Sequence, residues 1–266
     1  MAIDRWIKAS MHHCEVLAVV THQESVSLCK EFGFNCIQAP NNPVGAKFNR
    51  GMQYAIENIE FEYCIILGDD DIMCDSAWGY YSTAMRIGSD HVGFGNLYMW
   101  APKDKIALKY EYGTKYSKRK LVGCGRMLSY EALVGAGVKQ SIQIQKTFPG
   151  SLGLVYRKTK TYSLPIVQAE YFIQMGWATP VALPGYELWS NTQDTGLDNE
   201  CELSLLSCRY YPHRIITPNP VMVDIKTEKN IWPIKRYQKI SIAVKEDDAK
   251  SLLSAKEIDY IQSFLT

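Results

Sequence analysis

The sequence predicts an α/β protein whose mostly parallel sheet is flanked by helices and followed by a C-terminal extension. Short apolar runs alternate with segments of helical spacing across the first hundred or so residues, as strand–helix–strand crossovers require. The runs "EVLAVVTH" and "EYCIILG" are continuous rather than alternating, which suits strands buried on both faces. No second alternation of this kind follows, so all 266 residues read as one domain.

Glu15–His22 is the first expected strand. "QESVSLCKEFGF" spaces Val26, Cys29 and Phe32 as one helix face, and Gly33 marks its end. "NCIQAP" is a short second strand closed by Pro40. Lys47–Asn58 is expected to be helical, with Phe48, Met52, Ala55 and Ile56 on one side. "EYCIILG" is the third strand, with Asp69, Asp70 and Asp71 at its carboxyl end. "DSAWGYYSTAMRI" then predicts a helix capped by Asp75 or Ser76. His91–Trp100 predicts a strand whose glycines suggest a bulge. A charged, aromatic hairpin or extended loop is expected up to Lys120. "GRMLSYEALVGAG" reads as a helix, "TKTYSLPIVQAEYFIQMGW" as strand then helix, and "GLDNECELSLLSCRY" as an amphipathic helix.

Composition excludes several classes. With 29 basic and 28 acidic residues, no bulk charge draws the chain to nucleic acid or an anionic membrane. The longest apolar runs are too short to span a bilayer, and the charged N-terminal stretch does not read as a secretion signal. Eight cysteines without a Cys-x-x-Cys pair point to reduced thiols and a cytoplasmic protein. Phosphate-loop, zinc-protease and nucleophile-elbow motifs are absent from the sequence.

The chemistry concentrates at "LGDDDIM". Ligands of parallel sheets gather outside the carboxyl ends of the strands, where this triplet is expected. In an extended chain Asp69 and Asp71 would share a face, with Cα atoms about 6.6 Å apart. Mg²⁺ or Mn²⁺ binds such oxygens together with substrate phosphates. A helix start or a solvated turn would also tolerate the acids.

Taken with the first strand and "NNPVGAKFNRG", this motif resembles the nucleotide-binding half of family-2-like GT-A glycosyltransferases. The resemblance implies a GT-A (Rossmann-like) fold with a nucleotide-sugar-binding half over 1–100. It further implies an acceptor-binding half over 101–225 and an extension over 226–266. Thr21 and His22 would lie near the base, with Asn42, Gly45, Lys47, Asn49 and Gly51 in the Asn/Gly-rich segment. Asn49 also reads as a helix cap or a structural side-chain bond to the backbone. Asp69, Asp70 and Asp71 would serve the sugar nucleotide and a divalent cation (Mn²⁺ or Mg²⁺). Gly68 leaves two registers, so the metal ligand could be Asp70 or Asp71.

The same resemblance implies a catalytic base at the start of a later helix, with Asp198 the first choice and Glu200 the alternative. His213 or Asp224 could complete the metal site, and Lys226, Lys229, Lys235 and Arg236 make the following segment locally basic. The donor would be a nucleotide-diphosphate sugar, UDP-linked by default. The acceptor would be a glycan or, as in bacteriophage enzymes that modify DNA, a hydroxylated or glycosylated base. The basic, Tyr-rich stretch Tyr110–Lys120 suits the second acceptor. A nucleotidyltransferase and a non-catalytic nucleotide-sugar-binding protein are the alternative readings.

Overall fold

A computed structural model describes residues 14–111, 121–149, 155–181, 184–188, 201, 205–206, 208–227 and 234–263. Strand β1 (Leu17–Val20) leads into helix α1 (Gln23–Glu31), and β2 (Asn35–Gln38) returns in parallel to β1. Gly33 makes the turn between them at φ 72°, a backbone conformation that costs glycine little. Helix α2 (Val44–Asn58) packs on β1 through Gly51, where an added Cβ would lie 2.7 Å from Val19 Cγ2.

Next come β3 (Tyr63–Ile66), β4 (Asp71–Met73) and α3 (Ala77–Arg86). The single strand expected at His91–Trp100 is divided at Gly95 into β5 (His91–Phe94) and β6 (Asn96–Ala101). The Arg214 side chain crosses so close to Gly95 that a Cβ there would collide with it. β7 (Ile106–Glu111) forms a hairpin with β6, as expected for part of the charged, aromatic stretch. The segment expected as one helix from Gly125 begins instead as β8 (Arg126–Ser129). Pairing with β5 claims its first residues, and α4 (Tyr130–Gly137) starts only where Ser129 Oγ accepts the Ala132 N–H at 3.1 Å.

β9 (Val138–Ile144), the short pair β10 (Phe148–Pro149) and β11 (Val155–Tyr156), and β12 (Thr161–Pro165) follow. The strand-then-helix expectation holds at β12 and α5 (Ile166–Gln174). β13 (Ala178–Pro180), β14 (Gly185–Tyr186), β15 (His213–Ile215) and β16 (Met222–Ile225) come next. The chain continues through α6 (Ile234–Tyr237), β17 (Ile242–Val244), α7 (Glu246–Lys250) and α8 (Ala255–Ser263).

These elements form two compact units, each drawn from separated stretches. One gathers the described residues of Tyr63–Leu128 and Pro212–Thr266, the other those of Ala9–Glu62 and Ser129–Tyr211. The first contains the sheets β17-β7-β6-β16-β4 and β15-β5-β8-β3. The second contains β1-β2, the pair β10-β11, and β9 flanked by β12, β13 and β14.

The architecture is mixed α/β, and its sheets are not the mostly parallel sheet expected. Parallel pairing joins β1 to β2, β5 to β15 and β6 to β16, whereas β4–β16, β6–β7, β7–β17, β5–β8 and the partners of β9 are antiparallel. Short connections such as the one between β6 and β7 permit only antiparallel neighbours. Strands from the last third of the chain then fill places that sequence order cannot reveal.

Strand β6 shows why its run reads as continuously apolar. Leu97, Met99 and Ala101 join a core with Tyr81, Ala84, Met127 and Met222. Tyr98 and Trp100 join a separate core with Ile72, Val223, Ala249 and Ile261. Both faces of the sheet are therefore covered. The stretch expected as an extension supplies the edge strand β17 and, from α7 and α8, part of this second core. In the other unit, Ile142, Ile144, Tyr156 and Phe172 form a third core. None of the eight cysteines is in a disulfide. Among the described residues, no helix is long and apolar enough to cross a membrane.

Candidate metal centre

The link from β3 to β4 is a turn built by Gly68 and Asp71. The Gly68 N–H donates to Asp71 Oδ2 at 2.9 Å, and the Asp71 N–H approaches the Gly68 carbonyl at 3.4 Å. The backbone is thus not extended here, and the face-sharing expected of Asp69 and Asp71 does not arise. Asp69 is exposed. The Asp70 carbonyl accepts the Ile225 N–H at 2.9 Å, which brings the next residue, Asp71, opposite Asp224 in the β4–β16 register.

Asp70, Asp71 and Asp224 each present a carboxylate oxygen, and all three lie within 4.8 Å of one another. Strand alternation explains the selection. Ile72, Val223 and Ile225 turn into one core, so Asp71 and Asp224 take the opposite face, with Met73 and Met222. Gly68 leaves room for them. A Cβ at this position would stand 2.7 Å from Asp70 Oδ1 and 2.9 Å from Asp71 Oδ2.

The electrostatics are those of crowded, sheltered acids. Burial, then the Asp224 and Asp70 carboxylates, push the Asp71 carboxyl up to about 8, against the opposing bonds from the Gly68 N–H and the Cys124 thiol. Burial likewise raises Asp224 to about 6, with Lys226 opposing and Asp70 reinforcing. Lys226 Nζ lies 2.6 Å from Asp224 Oδ2 and 5.6 Å from the centre of the Tyr237 ring. Burial alone would lower its pKa, but Asp224 and then Asp70 outweigh that and hold the ammonium charged. Cys124 and Tyr81 close the apolar side, and burial followed by nearby negative charge raises both well above their ordinary values. The Tyr81 hydroxyl donates to the Gly125 carbonyl.

This donor set suits a hard divalent cation, which takes carboxylate oxygens and retains waters. One observation supports the fit directly. Asp224 Oδ1 is buried without a hydrogen-bond partner among the described residues, although a buried acceptor ordinarily has one. A cation would satisfy that oxygen and relieve the repulsion among the three acids.

Of the residues expected to hold metal, Asp70 and Asp71 converge, joined by Asp224. Asp69 and His213 do not belong to the cluster. His213 sits on β15, with its Nδ1 2.9 Å from Ser89 Oγ. Of the residues expected for donor binding, Asp69 and Asp70 lie in this unit, whereas Thr21, His22, Asn42, Gly45, Lys47 and Asn49 belong to the other. Lys47 Nζ reaches Thr21 Oγ1 at 3.3 Å and Asn41 Oδ1 at 3.2 Å. His22 is the exposed N-cap residue of α1, Asn42 is exposed, and Gly45 is buried in the first turn of α2. Asn49 is buried, and its Oδ1 accepts the Leu188 N–H at 2.9 Å, which is the structural role weighed for it. Asp198, Glu200 and Lys229 fall outside the described residues.

Cys124 and Tyr81 were not singled out by sequence reasoning. Both sit in apolar surroundings and carry no pattern that marks proximity to acids. Asp224 had a usable signal, being a lone acid within the apolar strand "VMVDI". No protein-family model matches the sequence, and no curated protein matches it.

Proposed function

We propose that the chain is a metal-dependent glycosyltransferase. It moves a sugar from a nucleotide-diphosphate sugar, UDP-linked by default, to an acceptor hydroxyl on a glycan or on a hydroxylated or glycosylated DNA base. The observation that carries this reading is the Asp70–Asp71–Asp224 cluster, in which three carboxylates converge and Asp224 keeps a buried Oδ1 without a hydrogen-bond partner among the described residues. The resemblance of "NNPVGAKFNRG" and "LGDDDIM" to the GT-A donor-binding half supports the donor class.

Mn²⁺ or Mg²⁺, when bound, would act as a Lewis acid toward the departing diphosphate. Asp70, Asp71 and Asp224 would hold that cation, and Lys226 pairs with Asp224. In an inverting reaction Asp198, or in its place Glu200, accepts the proton of the acceptor hydroxyl as its oxygen attacks the anomeric carbon.

The test is a panel of nucleotide sugars assayed by thermal shift with and without Mn²⁺. At least one should stabilise the protein only when metal is present; if none does, the reading falls. Asp198→Asn should keep donor binding and lose transfer, and retained transfer moves the base to Glu200 or ends the inverting mechanism. DNA binding whose affinity falls steeply with salt would select the modified base as acceptor.

A further inference from the structure

Residues 138–181, which include β9–β13 and α5, depart from the balanced charge of the chain. They hold five basic residues and a single acid, Glu170. Four of those cations gather at one end of β9. The turn between β11 and β12 carries Arg157, Lys158 and Lys160, and the Thr159 N–H ties it to the Ile144 carbonyl at 2.8 Å. The Lys158 N–H donates to Thr147 Oγ1 at 3.0 Å, which sets Lys146 beside this turn. All four basic side chains are exposed. Lys146 Nζ lies 5.0 Å from the centre of the Trp177 ring, and Trp177 meets Tyr171 edge-on at 6.0 Å. Tyr171 belongs to an apolar stripe on the outer face of α5. Ala169 and Phe172 turn inward, whereas Val167, Tyr171 and Met175, each four residues from the next, are 60%, 51% and 49% exposed.

We propose that this face docks on an anionic phospholipid bilayer, with the stripe entering the headgroup layer and the cations pairing with lipid phosphates. The inference goes beyond the glycosyltransferase reading and uses no residue of the metal centre. Apolar side chains exposed along one helix, beside Trp, Tyr and clustered cations, have the composition of an interfacial membrane anchor. Nucleic acid would also answer the positive charge. It has no use for the aliphatic Val167 and Met175, however, and Lys146 already lies over the Trp177 ring that a base would need. A second copy of the chain would bring the four cations against their counterparts, with only Glu170 to offset them. A bilayer satisfies both halves of the surface at once. Such binding is peripheral, because the stripe reaches the boundary of headgroups and acyl chains and goes no deeper.

The experiment measures co-sedimentation of the whole chain with lipid vesicles. Chelator is present and sugar nucleotide is left out, so the outcome is separate from the metal-dependent reading. Phosphatidylcholine vesicles with about one third phosphatidylglycerol should bind the protein at least about tenfold more tightly than pure phosphatidylcholine. High salt should weaken that binding. Lys158→Glu combined with Lys160→Glu should lower affinity for the anionic vesicles by about tenfold or more. Val167→Ser combined with Met175→Ser should lower it by a comparable factor, because the buried stripe and the charge act together. All four positions are exposed, so both double variants should keep the wild-type Tm. No binding to anionic vesicles, or equal binding to neutral ones, would overturn the proposal. Undiminished binding by either folded double variant would overturn it as well. Tighter binding to a single-stranded oligonucleotide than to vesicles, lost in the lysine variant alone, would assign the surface to nucleic acid instead. Should the charge reversal fail to fold, Lys158→Gln with Lys160→Gln carries the same test.

Discussion

Asp71 on β4 and Asp224 on β16 stand directly opposite one another in an antiparallel register, with Asp70 completing the cluster. Directly opposed like charges destabilise a sheet, and burial makes the repulsion harder to screen. The arrangement therefore costs stability whenever the acids are ionised and uncompensated. A ligand of opposite charge is the natural compensation.

The first consequence is a pH dependence of the metal-free protein. Asp71 and Asp224 are raised to about 8 and about 6 when folded, so between an ordinary aspartate value and those values the folded state binds more protons than the unfolded chain. Stability attributable to these groups must fall as pH rises through that window. Thermal unfolding in chelator should thus show a higher Tm near pH 5 than near pH 8.5 for this contribution. Subtracting the same profile measured on Asp71→Asn isolates it, and a difference that rises with pH would contradict the geometry.

Metal should reverse that trend. At a concentration about a hundred times its Kd, a cation bound only to the folded state adds about 2.7 kcal/mol. The Mn²⁺-induced increase in Tm should be largest at alkaline pH, where metal no longer competes with protons. Chelator should abolish it.

Substitution at single aspartates separates the cluster from its exposed neighbour. Asp71→Asn and Asp224→Asn should each remove the Mn²⁺-dependent shift in Tm while leaving the metal-free protein folded. Asp69→Asn should retain the shift, because Asp69 is exposed and outside the cluster. Loss of the shift in Asp69→Asn alone would restore the register in which Asp69 and Asp71 act together.

Gly68→Ala tests the packing of the acids from the opposite direction. Its Cβ would press on Asp70 Oδ1 and Asp71 Oδ2, so the carboxylates must move apart. Mn²⁺ affinity should fall by about tenfold or more with only a modest loss of stability, on the order of 1–3 kcal/mol for overpacking. Calorimetric titration beside thermal unfolding distinguishes the two effects.

Asn49 is expected to behave as a structural residue. Removing its side chain leaves the buried Leu188 N–H without its acceptor, at a cost of about 1–3 kcal/mol. Asn49→Ala should accordingly lower Tm in the absence of any nucleotide. An unchanged Tm with weakened nucleotide-sugar binding would return Asn49 to the donor site.

The sequence by itself determined the local elements whose cause is local. The apolar runs at β1 and β3, the helical spacing of α1 and α2, and the strand-then-helix at β12 and α5 could be read because periodicity and Gly punctuation act over a few residues. It also marked the aspartate triplet, since three adjacent acids after an apolar strand are unusual in any fold. Only the tertiary structure decided which acids meet. The turn closed by Gly68 and Asp71 exposes Asp69, and β16, arriving from far along the chain, lies between β4 and β6 and carries Asp224 and Lys226 with it. Strand pairing between distant segments depends on how whole faces are buried, and no short window of sequence contains that information.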